Sequence, residues 1–142
     1  MKSSAGGRRS GRLTRLEELL RLRRERWRRL LREIESWLTE LALKLEERGV
    51  KVDEVKLFGS FARGDYAEGS DLDLVVVSRD WEGVNYVERL SLLYKLWDKP
   101  LDANFIPLTP EELAERLEAS VTLKDASKYW ITIYRRDRRR EQ

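Results

Sequence analysis

The stretch Phe58-Gly59-Ser60-Phe61-Ala62-Arg63-Gly64-Asp65-Tyr66-Ala67-Glu68-Gly69-Ser70-Asp71-Leu72-Asp73-Leu74-Val75-Val76-Val77 decides the fold. A mostly apolar run from Val55 to Phe58 leads into Gly59-Ser60. Ten residues later Asp71-Leu72-Asp73 opens a second apolar run, Leu74 to Val77. The pattern predicts a strand, a tight turn, a short helix, a loop and a second strand. Side chains alternate faces along a strand, so Asp71 and Asp73 project together while Leu72 and Leu74 face the other way. Two carboxylates side by side repel unless a cation lies between them. Mg²⁺ suits the pair because it takes one or two carboxylates and keeps its other positions for water and phosphate oxygens.

Gly59-Ser60 supplies the other half of the pattern. Glycine lets the backbone turn tightly and approach a ligand with no Cβ in the way. A helix opening at Ser60 points free N–H groups over the turn, which favours phosphate. Arg63 lies three residues on, on roughly the same helix face, and adds positive charge. Metal-binding carboxylates facing a phosphate-binding turn suggest a nucleoside triphosphate held for attack at phosphorus.

These residues carry a resemblance. Gly-Ser, ten residues, then Asp-x-Asp resembles the signature of the DNA polymerase beta-type nucleotidyltransferase superfamily. Arg63-Gly64 and Ser70-Asp71-Leu72-Asp73-Leu74 resemble its minimal nucleotidyltransferase branch. The motif covers about twenty residues, and the predicted order of elements extends the likeness to about residues 50–135.

Composition narrows the chemistry. The chain has 142 residues, enough to bury a core unaided, of which 39% are charged and 41% apolar. It contains no Cys and no His. That excludes a disulfide framework, a thiolate site and the commonest general base and zinc ligand. Catalysis must draw on carboxylates, hydroxyls, Lys, Arg and a hard metal ion. No apolar run is long enough to span a bilayer and nothing resembles a signal peptide, so a cytoplasmic location is expected by default. The net charge of +3 hides basic clusters at both ends, from Arg8 to Arg32 and from Arg135 to Arg140. Such clusters fit nucleic acid, an acidic partner or simply solvated helix faces.

Residues 1–12, rich in Ser, Gly and Arg, read as a disordered tail. Residues 13–49 read as one long helix closed by Gly49. Trp27, Leu30, Ile34, Trp37, Leu41 and Leu45 recur at three- and four-residue steps. Arg23-Arg24 interrupts that stripe, and Leu13, Leu16, Leu19 and Leu20 lie beyond it, which suggests a protein partner or a frayed helix end. The catalytic core is expected over residues 50–135, so that residues 13–135 form one domain, followed by a charged tail over 136–142. After the second strand, residues 84–97 read as a helix with Val84, Val87, Leu90, Tyr94 and Trp97 on its apolar face. Residues 101–106 read as a third strand. Thr109-Pro110-Glu111-Glu112 signals a capped helix start running to about residue 119. A further turn of helix over 123–128 and an edge strand over 129–134 complete the chain. The expected fold is therefore α/β in the α+β sense, a small mixed sheet of about four strands flanked by helices. With the resemblance, it is the polymerase beta-type nucleotidyltransferase palm behind a long N-terminal helix.

Topology adds a third acid. The first two strands run antiparallel, and a right-handed crossover makes the third parallel to the second. Asp102 then starts its strand on the edge where Asp71 and Asp73 start theirs, in competition with Asp80, Glu82 and Asp98, which sit at helix ends or on the opposite edge. Asp102 also matches the family's third acidic position.

The resemblance implies transfer of AMP from ATP. Asp71, Asp73 and Asp102 would hold one or two Mg²⁺ ions and carry catalysis, and Gly59, Ser60, Arg63 and Ser70 would bind the nucleotide. It also implies a partner, because larger members carry a second domain for the acceptor and this chain has almost nothing after its fourth strand. Minimal nucleotidyltransferases often pair with a small helical HEPN protein in a hetero-oligomer, where the nucleotidyltransferase serves as a type VII antitoxin by AMPylating a HEPN RNase toxin. Two other readings stay open. One is a non-catalytic module that neutralises its partner by contact. The other is transfer to an RNA end, which the glutamates interleaved among the arginines of the long helix disfavour.

Overall fold

The computed structural model describes residues 14–137. The predicted tail over 1–12 and most of that over 136–142 lie outside them. The described residues fall into two compact units, divided between Arg32 and Glu33, and the assignment of 13–135 to one domain stands as a proposal. Helix α1 is Arg15–Glu47. Thr14 caps it, its hydroxyl accepting from the Glu17 amide at 3.1 Å while a Glu17 carboxylate oxygen accepts from the Thr14 amide at 3.2 Å. In the first unit the described part of α1 exposes Leu16, Leu19, Leu20 and Leu22.

The second unit holds a four-stranded sheet in the order β3-β2-β1-β4. The strands are β1 Glu54–Phe58, β2 Leu72–Val77, β3 Ala103–Leu108 and β4 Ile131–Arg135. β1 pairs antiparallel with β2 and with β4, and β2 pairs parallel with β3. The antiparallel and parallel relations expected around the motif are therefore present. Between the strands lie α2 (Ser60–Arg63), a 3-10 turn (Arg79–Trp81), α3 (Tyr86–Leu96), α4 (Pro110–Ala119) and α5 (Val121–Ala126).

The strands' alternation sorts the core into two layers. Val55, Leu57, Leu72, Leu74, Val76, Ala103 and Phe105 are buried on one face. Phe105 meets Tyr94 and Trp97 edge-on, and Trp97 meets Trp37 of α1. Ile34, Leu38, Leu41, Ala42 and Leu45 are the buried residues of α1. The opposite face carries Val75, Val77 and Leu108, packed with Leu113 of α4 and with Phe58, Ile106, Leu117 and Trp130. Asp73 and Asn104 lie on this second face, at the end where β2 and β3 begin.

The structure corrects the reading of α3. The helix begins at Tyr86, Val87 is 70% exposed, and the buried residues are Arg89 and Leu93. Arg89 explains the rotation. Its guanidinium donates to the Val84 and Pro107 carbonyls at 2.9 and 3.2 Å and forms a two-pronged pair with Glu112 at 2.7 and 3.2 Å. A buried arginine with four of its five N–H donors spent and a carboxylate partner costs little to bury, so the helix turns its charge inward. The β3 strand also starts and ends about two residues later than predicted. It runs through Pro107, which an edge strand tolerates because the missing N–H faces no neighbour.

Candidate active site

Gly59 connects β1 to α2 with φ 76° and ψ −157°. Only glycine populates that region readily. The reason for the residue is visible beside it. An ideal Cβ built on Gly59 would stand 2.3 Å from Asp73 Oδ2. The carboxylate fills the space that a side chain at 59 would need. Phe58 pairs directly with Asp73 across the β1–β2 ladder, and this fixes the contact. The turn and the second aspartate of the motif are therefore one structural unit.

Ser60 is the first residue of α2, half-buried, and its hydroxyl has no partner among the described residues. The turn closes through the Ala62 and Arg63 amides donating to the Gly59 carbonyl, and the Gly64 and Asp65 amides donating to the Ser60 carbonyl. The amide of Ser60 takes no part in those bonds, as expected of a helix's first residue. Phe61 is buried and stacks on Tyr66 with centroids 4.6 Å apart, tying the helix to the loop that follows.

Arg63 and Ser70 are placed less directly. Arg63 is exposed at the end of α2, and its Nε donates to Asp65 at 3.2 Å. Ser70 shapes the loop: its hydroxyl oxygen accepts from the Ala67 amide at 3.1 Å, and its own amide donates to the Ala67 carbonyl at 3.1 Å.

Asp71 is exposed just before β2, Asp73 is half-buried inside it, and Asp102 is exposed just before β3. The parallel ladder pairs Leu72 with Ala103 and Asp73 with Asn104. One residue upstream, the Leu72 amide donates to the Asp102 carbonyl at 2.9 Å. Asp71 thus adjoins the ladder's first bond and Asp102 accepts it through its carbonyl, each one residue ahead of its strand. Neither the Asp71 nor the Asp102 carboxylate has a partner among the described residues. Asn104, which the sequence reading passed over, donates from Nδ2 to Asp73 Oδ1 at 3.2 Å. Asp73 is therefore held from both sides, with one oxygen on the Asn104 amide and the other against Gly59.

Two of the three rival acids, Asp80 and Asp98, have other occupations. Asp80 Oδ2 accepts from the Lys51 amide at 2.8 Å. Asp98 pairs with Lys44 at 3.2 Å and with Lys99 at 3.5 Å. The Lys44 hydrogen bond holds the Asp98 carboxyl below its usual range.

The donor set fits a hard cation that arrives with its own oxygens. It is all carboxylate, with no imidazole or thiolate in the chain. Among the described residues no group of three or more acids forms a ready cage for a metal ion. Mg²⁺ needs none, since one or two carboxylates suffice when a phosphate supplies the rest. Asp71 and Asp73 would hold it, with Asp102 adjacent.

This fold and this pairing of a glycine turn with strand-borne aspartates define a nucleotide-transferring class, and the comparisons agree. The chain belongs to the nucleotidyltransferase domain family, whose model matches residues 38–129. It is 53% identical over 36 residues to a protein of Methanocaldococcus jannaschii named as a candidate protein adenylyltransferase, a match covering 25% of this chain and 35% of that one. A second protein of that organism, named in the same way, is 36% identical over 58 residues, covering 36% of this chain and 59% of the relative. The chain thus spans about a third and three-fifths of these two curated relatives. The crystal structure of a candidate nucleotidyltransferase from Sulfolobus solfataricus matches with a TM-score of 0.55 at 24% identity, over 80% of this chain and 87% of that one. That likeness shows the fold. No described helix is long and apolar enough to cross a membrane.

Proposed function

We propose that the chain transfers AMP from ATP to a hydroxyl group on a partner protein. The observation that carries this reading is the contact between the Gly59 turn and Asp73, which brings a phosphate-binding backbone and a cation-binding carboxylate within van der Waals distance. The names of the curated relatives, both candidate protein adenylyltransferases, support a protein as the acceptor.

The residues divide the work. The Ser60 amide and hydroxyl bind the β- and γ-phosphates, and Arg63 adds charge once it leaves Asp65. Ser70 holds the loop that delivers Asp71. Asn104 fixes the Asp73 carboxylate so that its remaining lone pairs face outward. Mg²⁺, when bound, would neutralise the triphosphate and lower the acceptor hydroxyl's pKa. The acceptor oxygen attacks the α-phosphorus in line, the bond to the bridging oxygen of the β-phosphate breaks, and pyrophosphate leaves. Asp102, exposed and unpaired, takes the hydroxyl proton. We further assign the acceptor to a small helical HEPN-type protein in a hetero-oligomer, with this chain as its antitoxin, on the resemblance to minimal nucleotidyltransferases.

The test is transfer to co-purified protein in Asp71→Asn and Asp73→Asn. Each variant should keep its fold by circular dichroism and lose transfer. Near-native transfer in either one removes that residue from the site.

A further inference from the structure

Helix α1 in the first unit has a face that is apolar yet interrupted by arginine. On a helix of 3.6 residues per turn, Leu16, Leu20, Arg23, Trp27 and Leu30 fall within an arc of about 80°. Leu19 and Arg26 border it on one side and Leu31 and Arg24 on the other. Leu16, Leu19 and Leu20 are 65, 53 and 47% exposed. Arg23, Arg24 and Arg26 are exposed and make no hydrogen bond or ion pair among the described residues. Arg21, by contrast, is spent on Glu25 at 2.8 Å. Arg15, Arg28, Arg29 and Arg32, on the other faces, are likewise exposed and unpaired among the described residues, so the helix is ringed by free arginines, and Arg23 is the one that lies within the apolar arc.

We infer that this face docks an acidic amphipathic helix of another protein, whose leucine-type side chains cover Leu16, Leu19 and Leu20 and whose carboxylates meet Arg23, Arg24 and Arg26. Charge complementarity selects this occupant. A second copy of α1 would bring Arg23 near its own counterpart, because Arg23 lies midway between Leu16 and Leu30, and like charges at a seam are destabilising. A lipid surface would bury Arg23 in the middle of the apolar arc, where interfacial helices keep their basic residues on the polar face. RNA would satisfy the arginines and leave the leucines in water. An acidic helix satisfies both kinds of side chain at once. The inference goes beyond the transfer reaction and does not depend on it.

Fluorescence anisotropy on the full chain tests it. The probe is a labelled three-heptad peptide with leucine at its a and d positions, one central a position replaced by glutamate, and glutamate at e and g. Its counterpart carries lysine at every glutamate. The acidic peptide should bind, and Arg23→Glu should weaken binding about tenfold, a reversed charge at a desolvated position being worth on the order of 1.4 kcal/mol. The lysine peptide should bind Arg23→Glu better than it binds the native chain. Leu20→Asp, at an exposed position that leaves the fold intact by circular dichroism, should abolish binding, and Asp73→Asn should leave it unchanged. Equal binding of the two peptides, or an unaffected Arg23→Glu, overturns the inference. So does leucine-dependent binding of anionic phospholipid vesicles or of single-stranded RNA in place of the acidic peptide, or a native homodimer that Leu20→Asp converts to monomer.

Discussion

Replacing Gly59 by alanine adds one methyl group at the point where the turn meets the carboxylate. Two costs follow. The first is backbone strain, because φ 76° with ψ −157° is a glycine-only conformation, worth on the order of 1–3 kcal/mol. The second is steric. The new Cβ would lie 2.3 Å from Asp73 Oδ2 and 3.3 Å from its Cγ, but 3.5 Å from its Cβ, an ordinary contact. Only the carboxylate is in the way, and displacing it breaks the Asn104 hydrogen bond, adding about 1–3 kcal/mol. The two costs separate in a double-mutant cycle. Gly59→Ala in the native background should cost about 2–6 kcal/mol by urea denaturation, and in an Asp73→Ala background only the strain of about 1–3 kcal/mol. Mg²⁺-dependent ATP binding by titration calorimetry should fall below detection in the native-background variant, because the displaced carboxylate no longer faces the phosphate turn. An equal cost in both backgrounds would refute the argued contact. Unchanged ATP affinity would move the phosphate site elsewhere.

Ser60→Ala should weaken ATP binding by about 1 kcal/mol, more if the lost bond is to a charged oxygen, as read by the same titration. Asp102→Ala should leave ATP binding nearly intact and collapse transfer, whereas Asp98→Ala, which removes a partner of Lys44 and Lys99, should leave both intact; equal loss in the two would undo the assignment of Asp102. The Arg89 hydrogen bond lowers the Glu112 carboxyl from its usual 4.5. A lowered folded-state pKa stabilises above the unfolded value and is lost as pH falls through the folded one. The stability gap between the native chain and Glu112→Gln should therefore be full at pH 7 and shrink in acid, below about pH 4.5; a gap that widens there would contradict the sign.

The motif was legible because its parts are local. Gly59, Ser60, Asp71 and Asp73 lie within one hairpin-like excursion, so spacing and strand alternation alone place them. The position of Asp102, just before a strand parallel to β2, was legible one level up, through the rule that such crossovers are right-handed. Asn104 was missed because its meaning depends on register: only the pairing of Asp73 with Asn104 shows that an ordinary amide holds the carboxylate. The misplaced start of β3 hid that pairing. Arg89 was missed for a related reason. A charged residue on a helix reads as solvent-facing, and its partner Glu112 had already been given a local role in the cap at Thr109. The structure shows Glu112 doing both, accepting from the Thr109 amide at 2.8 Å and from Arg89. Long-range pairs of this kind leave no periodicity for sequence reading to find.

The central claim is that this chain moves the α-phosphoryl end of a nucleotide through Asp71 and Asp73. Two samples of ATP, labelled at the α- or at the γ-phosphorus, can be incubated with Mg²⁺, the purified chain and the proteins that co-purify with it, and protein-bound label then counted. The account predicts label from α-labelled ATP only, absent in an Asp71→Asn, Asp73→Asn double variant. Label from the γ-position, label that survives the double substitution, or no protein-bound label from the α-position would contradict it.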